Sequence, residues 1–201
     1  VLLVAAGLML RTLANLNAVE RGFDADNLLT MQVPLMPKYA DPSRRLAFYE
    51  PILDGVRALP GVRGAAFGSA LPFQSTGFTS AFSVDGRQRL PGDDPDALIR
   101  IGTAQYLQTL GVTVIEGRLL DARDGVDAPL AVVVNETMVR RFMPGQSALG
   151  RQVRFDSTQR LFTVVGVVKD VLERGYGLES KQAIYVTAAQ GPRYFPATNL
   201  M

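Results

Sequence analysis

The residues able to do chemistry fall into two groups, carboxylates at Asp93, Asp94 and Asp96 and hydroxyls at Ser69 and Ser83. A calcium loop needs carboxylates at fixed odd spacings, a turn glycine and a closing bidentate Glu. No such Glu follows Asp96, so the cluster reads as a solvated loop and no metal ligand is assigned. Neither serine lies in a G-x-S-x-G elbow, and with no His in the chain a serine nucleophile would need a lysine base, Lys38, Lys169 or Lys181. Nothing in the spacing joins either serine to one of them. With no Cys, thiolate catalysis, disulfides and Cys-ligated metals are excluded as well. Glycines at 61, 64, 68, 166, 175 and 177 form neither a dinucleotide fingerprint nor a P-loop. No catalytic or cofactor-binding residue is therefore expected.

Net charge is +2 over 201 residues, too little for the concentrated Lys and Arg of a nucleic-acid binder. Hydrophobic content of 47% fits a folded chain with a sizeable core. No repeat or low-complexity tract interrupts it.

Residues 1–10 (VLLVAAGLML) carry no charge, and Arg11 closes the run. A spanning helix needs about 20 apolar residues. Two readings stand: a buried core helix, or the outer half of a transmembrane helix. Beyond Arg11, Leu13, Leu16 and Val19 keep helical spacing, so helix is expected as far as Gly22, a C-cap candidate.

Strand is expected at 28–35, then a helix from Asp41-Pro42, with Asp as N-cap. Its apolar stripe is Leu46, Tyr49, Ile52, Leu53, Val56 and Leu59, and Pro51 and Gly55 weaken it. Strands follow at 62–71, 78–84, 97–102 and 112–116, with a short helix around Tyr106 to Leu110. The run 130–134 is apolar and β-branched, as a buried central strand requires. It feeds a helix, Glu136 to Phe142, capped by Asn135 and stopped by Pro144-Gly145. Further strands are expected at 151–155, 161–168 and 183–187, with Gly166 marking a bulge or a close approach. The mixed order predicts an α+β fold.

Two surfaces are candidates for partner contact. Phe73 and Phe78 within the loop 72–80 are either exposed apolar anchors, or both rings turn into the core. Arg140 and Arg141 either dock a partner or form a solvated face beside the helix C-terminal dipole.

Several segments together carry a resemblance: LLVAAGLMLRTLANL running into RGFDADNLLTMQVPL, then FYEPILDGVRALPGV, AQYLQTLGVTVIEGR, AVVVNETMVRRFMPG, ALGRQVRF, FTVVGVVKDV and AIYV. In this order the chain resembles the MacB-like periplasmic core domain of FtsX-like ABC transporter permeases, and within that group the duplicated orphan permeases of acidobacteria. Pro51 and Gly55 depart from the family's usual helix formers. The resemblance implies mixed sheets with short helices in two lobes, a porter-like lobe at about 28–98 and a smaller inserted lobe at about 99–187. Residues 1–22 would end a transmembrane helix and form a stalk, with 23–201 as the core domain. It further implies a noncatalytic domain on the periplasmic side of the cytoplasmic membrane, coupling helix movement to an envelope protein or exported substrate. Its expected partners are an ABC ATPase subunit, which would hold the ATP, and a second permease copy. The alternatives are an envelope binding module without transport, and a hydrolase using Ser69 or the paired carboxylates.

Overall fold

The computed structural model describes residues 2–33, 42–73, 78–90, 92–93 and 95–191. Helix α1 spans Leu2–Ala18 and α2 spans Pro42–Arg57. Then come β1 (Phe78–Val84), β2 (Asp96–Gly102), the single turn α3 (Tyr106–Thr109) and β3 (Val114–Gly117). The chain continues through β4 (Ala131–Asn135), α4 (Glu136–Phe142), β5 (Gln152–Phe155), β6 (Leu161–Val168) and β7 (Ala183–Thr187). The mixture is α+β, as expected.

Among the described residues seven strands join one sheet in the order β3-β6-β4-β7-β2-β1-β5, and β5 pairs back onto β6. Six strands therefore close a ring of pairings that leaves only β3 outside it. Closure removes open edges and encloses a core. Period-two alternation fills it: Ala97, Ile99 and Ile101 of β2, Val132 and Val134 of β4, and Ile184 and Val186 of β7 point to one cluster. Phe82, Phe155 and Phe162 complete it from β1, β5 and β6, with Phe155 and Phe162 edge to face at 5.1 Å. The intervening residues Leu98, Ala131, Val133, Ala183 and Tyr185 face a second cluster covered by α3 and the loops around it. All of β4 and β7 is consequently buried, which is why 130–134 reads as a continuous apolar run.

β6 serves two partners on one edge. Residues 161–163 pair with β5 and 166–168 with β3, and its register against β4 slips between Val164 and Gly166. The bulge moves the buried phase by one residue, from Phe162 and Val164 to Val167. A Cβ on Gly166 would sit 1.9 Å from the Arg118 carbonyl oxygen, so both the bulge and the close approach expected there are present.

The β4–α4 junction ties four segments together. Asn135 Oδ1 accepts from the Met138 N–H at 3.1 Å, capping α4, and from the Ala183 N–H at 2.9 Å. Its Nδ2 donates to Asp170 Oδ1 and to the Lys181 carbonyl. Asp170 also accepts from the Thr137 N–H and hydroxyl, and its own N–H donates to Glu136 Oε1. Asn135→Ala removes a cap and strands buried donors, so a loss of about 2–4 kcal/mol is expected in urea unfolding. Asn135→Asp should not recover it: a carboxylate still accepts from both N–H groups, but it sets an acceptor in place of the Nδ2 donor against Asp170 Oδ1 and the Lys181 carbonyl.

Three sequence expectations change. α1 ends at Ala18, not Gly22; Gly22 is left-handed (φ 75°) but serves a loop. Residues 28–33 form no ladder, with Leu29 94% and Met31 67% exposed; 34–35 lie outside the described residues, as do Lys38 and Asp41. Of 62–71 only the single bridge Gly68↔Gly102 is strand-like. A Cβ on Gly68 or Gly102 would fall 2.3 or 2.6 Å from Tyr106, whose ring fills the space over both glycines. The segment is instead held by Ser69, whose N–H donates to the Ile101 carbonyl and whose Oγ accepts from the Ile101 N–H.

Candidate functional site

Of the residues considered for catalysis, Asp93, Asp96, Ser69, Lys169 and Lys181 are engaged in the fold, whereas Ser83 is exposed on β1. Asp93 accepts two hydrogen bonds from the Arg87 guanidinium, at 2.6 and 3.1 Å, and one from the Leu90 N–H. The Arg87 bonds, aided by the backbone bond, hold its carboxyl down at about 2. Asp96 pairs with Lys181 Nζ at 2.8 Å, Lys169 lies 3.7 Å from Glu20, and Ser69 holds β2. Asp94 lies outside the described residues. Among the described residues no group of three or more acidic side chains is placed to hold a metal ion.

A carboxyl depressed in the folded state stabilises it above the unfolded pKa, and that contribution is lost as pH falls through the folded value. Stability should therefore decline between about pH 4 and pH 2 through Asp93. Asp93→Asn should remove its share of the decline, seen as a flatter melting temperature against pH.

The four candidate contact residues divide. Phe73 is 39% exposed at φ 66°, its ring 5.1 Å from Tyr176 and 5.9 Å from Phe23. Phe78 opens β1 at 37% exposure, opposite Ile99. Arg140 donates to Thr137 Oγ1 and lies 3.9 Å from Asp170, whereas Arg141 donates to Gln182 Oε1. Phe73 thus belongs to an aromatic cluster beside the loop 171–177, while both arginines stand on α4 at the capping junction.

Sequence reasoning missed the most unusual group, a buried polar network on the outer side of β2 and β7. Arg100 Nε donates to Glu173 Oε2 at 2.9 Å, with the two side chains 1% and 4% exposed. The Tyr185 hydroxyl donates to Glu173 Oε1 at 3.3 Å, and the Tyr106 hydroxyl donates to the Ala70 carbonyl at 2.8 Å. Burial pushes the Glu173 carboxyl up despite Arg100, and raises both tyrosines further above their ordinary range. One signal was readable: Arg100 stands in the middle of the apolar strand DALIRIG, where a charge needs a buried partner. Nothing about Glu173 in VLERGYG identified it as that partner.

Glu173 lies in the loop that receives the chain leaving α1. The Leu172 N–H donates to the Arg21 carbonyl at 3.0 Å, and the Asp24 N–H to the Leu110 carbonyl at 2.8 Å. A Cβ on Gly22 would be 1.9 Å from the Asp170 carbonyl oxygen, so backbone meets backbone there. α1 itself stands clear: Leu3, Val4, Leu8, Met9, Leu10 and Leu13 are 56–89% exposed, which removes the core-helix reading. No helix among the described residues is long and apolar enough to cross a membrane.

A family description, the MacB-like periplasmic core domain, matches residues 2–200. The fold is similar to the periplasmic region of MacB from Actinobacillus actinomycetemcomitans, at a TM-score of 0.54 and 16% identity over 76% of this chain and 60% of that one. It is also similar to the extracellular domain of the noncanonic ABC-type transporter YknZ from Gram-positive bacteria, at 0.45 and 19% over 69% and 62%. The chain spans less than two thirds of either structure. No curated protein matches it by sequence.

Proposed function

The chain belongs to the MacB-like periplasmic core domain family, and from that membership we propose that it is a noncatalytic extracytoplasmic domain of an ABC transporter permease, coupling movement of a membrane helix to an envelope substrate or partner. The observation that carries this is the contrast between α1 and the rest. An apolar helix stands exposed, closed by Arg11, and its C-terminal connection is bonded into the sheet domain. Exposed apolar surface on every side of residues 3–10 suits lipid, with Arg11 reaching to the interface.

On this reading residues 1–22 are the end of a membrane helix and its stalk, and 23–201 form the periplasmic domain. The proposed porter-like lobe at about 28–98 and second lobe at about 99–187 would contribute strands to one sheet. Their border falls within β2, and β1 and β2 hydrogen-bond to β5 and β7. An ABC ATPase subunit in the cytoplasm and a second permease copy are the proposed partners. Phe73 and Phe78, and Arg140 and Arg141 on α4, are the proposed envelope contacts.

Hydrogen exchange on the full-length permease, reconstituted with its ATPase, tests the coupling. Binding of a nonhydrolysable ATP analogue should change protection at residues 20–24 and 169–173. Unchanged exchange throughout the domain would instead identify a binding module without mechanical coupling.

A further inference from the structure

We infer that residues 20–24 form a rigid joint, in which the loop 169–173, pinned to the sheet by Arg100, Glu173 and Tyr185, grips the chain leaving α1. A flexible linker would let α1 reorient without consequence for the sheet. The geometry here is of another kind. The connection is bonded on two sides, to Leu172 through the Arg21 carbonyl and to Leu110 through the Asp24 N–H. Gly22 is wedged under Asp170, and the Asp170 side chain is part of the α4 capping junction. Gly111 (φ 66°) closes the other side, where a Cβ would lie 2.9 Å from that of Asp24. Phe23 packs into the second core cluster and meets Phe73.

The grip depends on the loop staying down. Its anchor is Glu173, whose carboxylate reaches Arg100 of β2 and Tyr185 of β7. The Glu173 carbonyl accepts the Phe73 N–H at 3.1 Å, which holds Phe73 in its left-handed conformation (φ 66°). Such a backbone is strained for a bulky residue and persists only where its surroundings fix it. Loop, strained segment and α1 connection are thus closed by one buried charge pair. The consequence is that a tilt of α1 turns the sheet with it.

The inference rests on the coupling role proposed above, and a different experiment decides each. Spin labels at Asn15→Cys on α1 and Ser157→Cys in the β5–β6 turn, both exposed sites, are placed in the full-length permease in nanodiscs and read by double electron–electron resonance. One narrow distance peak is expected, and Glu173→Gln or Gly22→Ala should each replace it with a broad distribution. Gly22→Ala acts at the joint itself and keeps the test decisive if Glu173→Gln fails to fold. A broad parent distribution, or a peak left narrow by either variant, overturns the joint. Absence of an ATP-dependent exchange change with the peak still narrow would overturn the coupling role alone.

Discussion

Glu173→Gln should destabilise the chain by about 3–5 kcal/mol, the range for removing one partner of a buried ion pair. The side chains of Arg100 and Glu173 are 1% and 4% exposed, so water cannot take over for the lost carboxylate. Glutamine keeps an acceptor for the Tyr185 hydroxyl but removes the negative charge that faces the buried Arg100 guanidinium. Arg100→Met should cost a similar amount from the other side. The double variant Arg100→Met/Glu173→Leu should recover most of the loss, because the penalty in each single variant is an orphaned charge. Urea unfolding of the four proteins closes this cycle. Additive losses in the double variant would show that packing volume, not charge pairing, dominates the site.

The second large effect is at Gly166. A Cβ there would stand 1.9 Å from a backbone carbonyl oxygen, and within 3.1 Å of the Arg118 nitrogen as well. No rotamer change relieves a clash between backbones, so β6 must part from the Arg118 segment. That would break the bond from the Arg118 N–H to the Val165 carbonyl and disturb the bulge that gives β6 its two partners. Gly166→Ala is expected to cost about 3 kcal/mol or more, at or beyond the upper end for overpacking. Gly145→Ala is the matched control: its φ is 73° and no atom lies within 4 Å of the added Cβ. Only the left-handed backbone penalises it, by about 1–2 kcal/mol. Equal losses at the two positions would contradict the close approach.

Elements whose packing is written in a regular period were legible. β1, β4, β6, β7 and α4 follow their apolar patterns closely, and the cap at Asn135 and the bulge at Gly166 were marked by residue type. Segments 28–33 and 62–71 have strand-like composition, but strand formation needs a neighbour that local composition does not specify. At Gly68 the neighbour is a tyrosine ring over a single bridge. α1 falls short of Gly22 because that glycine is needed where the chain passes under Asp170, a contact 148 positions away that no local pattern records. The buried network escaped for the same reason. Arg100 and Glu173 are distant in sequence, and only the closed sheet puts them together. The family resemblance was visible because it rests on ordered segments, whereas partner surfaces are defined by three-dimensional placement.

The central claim is that this domain sits outside the cytoplasmic membrane, anchored through α1. The most direct measurement is the labelling of Ser157→Cys by a membrane-impermeant maleimide, in a full-length permease with no other cysteine. Cells with a permeabilised outer membrane and an intact inner membrane should label as fully as lysed cells. Labelling that appears only after lysis would place the sheet on the cytoplasmic side and contradict the account.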